Sequence, residues 1–210
     1  MVISKKIVNS SKFCVIHNAV DREKYRYSVQ KREEIRGSMG ITDQFVIGHV
    51  GNFCYQKNHY FLLDVFEEVH KKDPNTVLLL AGDGVRFEKV RQIVAEKNLE
   101  DVVKLLGRRS DTDYLYQGMD AFLLPSNFEG LPIAGIEAQS AGLPCFMSDE
   151  ITKESKITEA CYFIPLKSGA KYWAEEILDN RMERQSAEFL DNAEQYDLAN
   201  QDQELKSLIR

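Results

Sequence analysis

Paired cysteines, nucleic-acid-type basic charge and long apolar runs are all missing from this 210-residue sequence. The four cysteines, Cys14, Cys54, Cys145 and Cys161, form no Cys-x-x-Cys pair, and three of them sit in apolar runs. Buried reduced thiols are therefore expected rather than a disulfide frame or a zinc site, and reduced thiols fit the cytoplasm. Basic charge is outnumbered, 27 Lys and Arg against 33 Asp and Glu, for a net charge of −6. No nucleic-acid-binding surface is expected from that balance, although a local basic pocket for phosphates remains open. Met1 is followed by Val-Ile-Ser-Lys-Lys without an apolar signal core, and no apolar stretch is long enough to span a bilayer. A cytoplasmic protein that does not itself cross a membrane is the expectation.

Several catalytic signatures are missing as well. His17, His49, His59 and His70 have no metal-ligand spacing, so surface or satisfied core histidines are expected and a metal site is not. Ser126 lacks the Gly-x-Ser-x-Gly elbow of a hydrolase nucleophile. No Gly-Lys-Ser/Thr completes a phosphate-binding loop, and Gly82-Asp83-Gly84-Val85-Arg86-Phe87 lacks the third glycine of a dinucleotide fingerprint.

What is present is an alternation of apolar runs with amphipathic stretches. Residues 45–50, 76–81, 102–106 and 121–125 read as strands, and 145–147 and 162–164 as two shorter ones. Between them, Phe61, Leu62, Val65, Phe66 and Val69 recur at spacings of three and four, a helix over 58–72 with Asn58 as its expected cap. Further helices are expected over 85–97, 111–118 and 132–141, the last with Pro132 in its first turn and Gly142 just past its end. Such alternation predicts an α/β, Rossmann-like parallel sheet with helices on both faces. The expected organisation is an inter-domain segment at 1–40, a Rossmann-like domain at 41–170 and a helical tail at 171–210. In that tail Trp173, Ile177 and Leu178 are anchors, and 181–210 forms one or two surface helices.

In open parallel sheets, ligands bind outside the carboxyl ends of the strands. The loops at 51–58, 82–84, 107–111 and 126–131 are therefore where chemistry is expected. Backbone N–H groups near Gly130 and Leu131, leading into a helix, form an anion site at the positive end of the helix dipole. Lys57 ends the loop after the first strand, where its ammonium can meet a diphosphate, though a single loop lysine is usually only solvated. Glu129 sits just before the helix start, where an acid is common and mildly stabilising. Glu137 lies eight residues on, among Ile133, Ala134, Gly135, Ile136 and Ala138; a carboxylate so placed needs partners, and ligand hydroxyls are natural ones.

Taken in order, five blocks of residues resemble the retaining glycosyltransferases of family 4, whose GT-B architecture pairs two Rossmann-like domains. They are Ile16-His17-Asn18-Ala19-Val20-Asp21; Gly48-His49-Val50-Gly51-Asn52 through Lys57-Asn58; Leu79-Leu80-Ala81-Gly82-Asp83-Gly84; Leu106-Gly107-Arg108 with Tyr116 and residues 120–126; and Glu129-Gly130-Leu131-Pro132 through Glu137-Ala138 to Ala141-Gly142-Leu143-Pro144. The likeness covers about residues 15–154 and runs toward bacterial enzymes of surface-polysaccharide assembly.

The resemblance implies a donor-binding half that takes a nucleotide-diphosphate sugar, UDP-sugar favoured, with no metal or other cofactor. Lys57 would hold the donor diphosphate and stabilise the leaving group, and Glu129 would lie near the sugar hydroxyls. The N–H groups of Gly130 and Leu131 would meet the phosphates, Glu137 would accept from the ribose, and backbone near Arg108 would face the base. Gly51, Asn52 and Gly82 complete the implied nucleotide-binding set. A glycan or lipid-linked acceptor would occupy a missing N-terminal acceptor domain. Any peripheral contact with the inner face of the cell membrane would run through that domain. Asn52 departs from the family's arginine, removing one cation from the diphosphate site. A non-catalytic nucleotide-sugar-binding module, or half of a split enzyme needing a partner chain, stays open as the alternative. A sugar-nucleotide epimerase is disfavoured by the paired glutamates.

Overall fold

The structure is a computed structural model that describes residues 18–201, so Cys14, Ile16 and His17 lie outside the described residues. Six parallel strands form one sheet in the order β3-β2-β1-β4-β5-β6. They are β1 (Phe45–Val50), β2 (Thr76–Ala81), β3 (Val103–Gly107), β4 (Ala121–Leu124), β5 (Cys145–Ser148) and β6 (Cys161–Ile164). Among the described residues, the helices that pack around the sheet are α1 (Arg22–Tyr25), α2 (Val29–Ser38), α3 (His59–Lys72), α4 (Phe87–Glu96), α5 (Thr112–Gly118), α6 (Ile133–Ser140) and α7 (Gly169–Asp179). Among the described residues, no helix is long and apolar enough to cross a membrane.

Continuous apolar strands are what a sheet covered on both faces requires. Successive residues alternate between two cores: Val46, Leu79, Phe122 and Leu124 face one, with Ile136. Ile47, Leu78, Leu80 and Leu123 face the other, with Phe66 and Trp173. β1 and β2 pair residue for residue from Phe45↔Thr76 to Val50↔Ala81, so their loops leave the sheet side by side. The order turns outward in both directions from β1 and β4, placing the switch point between the loops that carry Lys57 and Glu129.

The segment before β1 is fastened by charge. Arg32 and Arg36 of α2 reach Asp120, at 2.5 and 3.1 Å, and Asp120 also accepts from the Val46 N–H at 2.8 Å. Ser28 caps α2 through its side chain, accepting from Lys31 N–H at 3.3 Å.

Two local expectations change. Asn58 precedes α3 but makes no side-chain cap hydrogen bond; it takes φ +54°, a left-handed conformation that asparagine tolerates better than most residues. At the C-terminal end, Trp173 and Ile177 anchor α7 as expected. Residues 181–190, however, form no helix. Met182, Phe189 and Leu190 do not make a helical apolar stripe, and tertiary pairing wins: Thr158 bridges to Phe189 and Leu190 N–H donates to Ile157 O at 2.9 Å. A six-residue 3₁₀ turn, Asp191–Tyr196, follows, and residues 198–201 are helical, so the expected surface helix begins only there.

Candidate donor-binding cleft

Three adjacent strand ends are laced together at their carboxyl edge. Gly51 N–H donates to Ala81 O at 3.0 Å, and Gly82 N–H to Gly107 O at 2.8 Å. The approach is so close that a Cβ on Gly82 (φ +143°) would lie 1.9 Å from Gly51 O, so glycine at 82 is required by packing. The loop after β1 is also tied to the loop after β4: Asn127 donates from its backbone to Gln56 O at 2.8 Å and from its side chain to Tyr55 O at 2.7 Å.

These loops and α6 enclose a cleft of about 450 Å³. It gathers Gly51, Asn52, Lys57, Gly82, Arg108, Glu129, Leu131 and Glu137, residues up to 86 positions apart in the chain. Gly130 lies between two lining residues, and a Cβ there would meet no atom within 4 Å. The cleft adds Arg109 and Thr112, which the motif blocks do not single out.

Lys57 and Glu129 form an ion pair, with side chains only 15% and 5% exposed. Ser126 Oγ donates to the same carboxylate oxygen at 2.7 Å. Glu137 is held by two phenols: Tyr25 OH donates to Oε1 at 2.7 Å and Tyr116 OH to Oε2 at 2.9 Å. Burial first, then the adjacent carboxylate, pushes both phenol pKa values above the ordinary tyrosine range, keeping them protonated donors. Arg109 is engaged by Asp111 at 2.6 and 2.8 Å, whereas Arg108 has no ion pair among the described residues.

Beneath the Gly51 loop lie His49 and His59, ring centroids 4.8 Å apart. His49 Nδ1 meets Leu123 O at 2.8 Å, but its Nε2 and both nitrogens of His59 are buried with no hydrogen-bond partner among the described residues. The expectation of satisfied core or surface histidines therefore fails for His59 and is half met for His49. Burial lowers both pKa values, His59 to about 4, with Lys57 and Arg86 adding repulsion there, so both rings are neutral at pH 7.

A parallel sheet with a cleft at its switch point, lined in part by charged residues, makes this a Rossmann-like α/β domain of the kind paired in GT-B glycosyltransferases. The sequence model for "Glycosyl transferases group 1" matches residues 31–196, and the chain belongs to that family. EpsF of Bacillus subtilis (strain 168), which carries the name of a glycosyltransferase, is 36% identical over 141 residues, 67% of this chain and 37% of EpsF. The Escherichia coli UDP-Gal:alpha-D-GlcNAc-diphosphoundecaprenol alpha-1,3-galactosyltransferase is 32% identical over 151 residues, 70% of this chain and 39% of that enzyme. This chain thus spans well under half the length of these relatives. Among solved structures, Anabaena Alr3699/HepE in complex with UDP and glucose superposes with a TM-score of 0.79 at 21% identity, covering 93% of this chain and 56% of that one. The C-terminal domain of the group 1 protein LpcC from Francisella tularensis has a TM-score of 0.62 at 18% identity, covering 77% of this chain and 86% of that domain.

Proposed function

We propose that this chain is the donor-binding half of a glycosyltransferase, transferring a sugar from a nucleotide-diphosphate sugar to a glycan or lipid-linked acceptor. The observation that carries the reading is the convergence of Lys57, Glu129, Glu137 and the glycine loops on one cleft. In this reading the diphosphate lies between Lys57 and the N-terminal end of α6, where a cation and helix dipole together favour its charge. Stabilising the departing diphosphate lowers the barrier, because that charge develops as the glycosidic bond breaks. Glu129 takes sugar hydroxyls and Glu137 the ribose, with transfer proceeding with retention. UDP is the favoured nucleotide: the superposed Alr3699/HepE structure contains UDP, and the E. coli relative is named for UDP-Gal. A role in polysaccharide biosynthesis is supported by the relative named amylovoran biosynthesis glycosyltransferase AmsD from Erwinia amylovora. The reading requires no metal ion or other cofactor. It places the acceptor on a second domain, through which any contact with the inner membrane face would run.

A second reading, a nucleotide-sugar-binding module or half enzyme that works only with a partner chain, is favoured by one feature. Asn52, at the position of the family's arginine, lines the cleft without charge. Calorimetric titration with UDP, GDP and ADP tests the nucleotide reading. Saturable binding of one diphosphate is expected, weakened about tenfold by Lys57→Ala, the worth of one charge-assisted hydrogen bond. Absence of binding by all three to the folded chain and to a longer two-domain form would overturn it. Transfer by the chain alone, measured with labelled UDP-sugar, would remove the need for a partner.

A further inference from the structure

The second glutamate of the cleft is held from outside the sheet domain. Glu137 lines the cleft from α6, yet one of its two described phenol partners, Tyr25, comes from α1, 112 residues earlier in the chain. We propose that Tyr25 and Tyr116 clamp the Glu137 carboxylate as a preset acceptor for the two ribose hydroxyls, Tyr25 being a positioning residue that ties nucleotide recognition to the segment ahead of the sheet. This inference rests on the nucleotide-sugar reading and adds to it the residues that orient its ribose contact.

A carboxylate offers about four lone-pair directions, two on each oxygen. One on each is taken by a phenol, at 2.7 Å from Tyr25 and 2.9 Å from Tyr116. One direction per oxygen is left, the number that a vicinal diol needs. The carboxylate cannot rotate to other positions without breaking two charge-assisted hydrogen bonds, so it meets the ribose already oriented. Tyr116 has a competing neighbour, Ala134 O, but at the longer distance of 3.2 Å.

Tyr25 is fixed well enough to serve this role. Its ring meets that of Tyr116 edge-on at 5.7 Å, and its carbonyl accepts from Gln117 Nε2 at 3.0 Å. Three residues before it, Arg22 is bound to Asp197 at 2.7 Å. Tyr25 is 6% exposed, and its hydroxyl reaches a carboxylate that lines the cleft. A phenylalanine here would keep the packing and lose only the hydroxyl's bonds, to Glu137 and to the Thr112 side chain.

The test uses the diphosphate selected by the titration above, together with its 2′-deoxy and 3′-deoxy forms. Each is titrated against the native chain, Tyr25→Phe, Tyr116→Phe and Glu137→Gln. The native chain should favour the full ribose by about tenfold, the scale of one hydrogen bond to a charged acceptor. Tyr25→Phe should reduce that preference to about twofold or threefold while leaving the affinity for the deoxy forms nearly unchanged. A merely structural tyrosine would weaken all three ligands alike, and that result, or an unchanged preference, would overturn the proposal. A thermal melt within a few degrees of the native one confirms that Tyr25→Phe is folded; should it melt lower, Tyr116→Phe carries the same comparison. If no nucleotide binds the native chain or the longer two-domain form, the donor-binding reading fails first, an outcome distinct from equal losses in the variant.

Discussion

The cation expected to hold the diphosphate is already engaged within the protein. Lys57 is paired with Glu129, both side chains are largely buried, and Ser126 fixes the shared oxygen. A diphosphate must therefore compete with Glu129 for Lys57, and a glutamate beside it adds repulsion. Replacing Glu129 with glutamine keeps the shape and removes the competing charge. A hydrogen bond to a charged group contributes about 1.5–3 kcal/mol, so Glu129→Gln should tighten UDP binding by about tenfold. The same change leaves a partly buried ammonium without its counter-ion, and the unliganded protein should lose about 1–3 kcal/mol of stability. Ligand binding restores part of that: UDP at a hundred times its Kd stabilises by about 2.7 kcal/mol. Isothermal titration reads the affinity, and urea unfolding with and without UDP reads the stability. The double variant Lys57→Ala/Glu129→Gln completes the cycle and should lose the gain, since no cation remains to be released. With a UDP-sugar the benefit should shrink or reverse, because Glu129 would also lose its sugar hydroxyls. Equal or weaker UDP binding by Glu129→Gln would refute the competition argument; it would mean that Lys57 bridges both anions or is not the diphosphate ligand.

The glycines should separate cleanly. Gly130→Ala should leave the melting temperature unchanged yet weaken UDP binding about tenfold, the new methyl standing in otherwise open space. Gly82→Ala should instead unfold early in urea, because its Cβ collides with Gly51 O. Asp120→Asn strips a 9%-exposed carboxylate from two arginines and should cost about 3–5 kcal/mol in urea unfolding, with UDP affinity little changed. Stability should fall as pH drops from about 6.5 toward about 4. In that window the unfolded chain protonates His59, normally near 6.5, while the folded chain, with its pKa lowered to about 4, does not. Urea midpoints across that range should slope less steeply in His59→Phe, and an unchanged slope would discount the buried histidine. Asn52→Arg should raise UDP affinity about tenfold at low salt and lose most of that gain at 1 M, as an exposed charge is screened.

Much of the sheet was legible because its strands are buried on both faces, so residues such as 76–81 read as unbroken apolar runs needing no long-range information. The cleft loops were legible for a related reason: each strand end is punctuated by glycine or charge at the edge where a parallel sheet leaves its loops together. What was not legible depends on pairs far apart in sequence. Lys57 and Glu129 are 72 residues apart, and neither residue's local context announces that they neutralise each other. Tyr25 sits in a polar stretch where an aromatic residue reads as an ordinary packing group, and only the folded chain brings its hydroxyl to Glu137. Of the 181–210 segment expected to hold surface helices, 181–190 forms no helix because its few apolar residues find tertiary partners rather than a shared helix face.

The ion pairs also change how Asn52 should be understood. Counted by composition, the cleft has three cations, Lys57, Arg108 and Arg109, and its lack of the family's arginine looks like a small deficit. Counted by contacts, Lys57 is committed to Glu129 and Arg109 to Asp111. Only Arg108 is left without an ion pair among the described residues, and Glu137 supplies an opposing charge within the same cleft. The cleft's own charges are thus close to balanced, and in the donor-binding reading an anion would bind by exchange of partners rather than through a standing positive field. An arginine at 52 would add a cation that has no described acid committed to it. In the donor-binding reading, asparagine at 52 therefore leaves the Lys57–Glu129 pair, rather than the total number of basic residues, as the control on how tightly a diphosphate would be held.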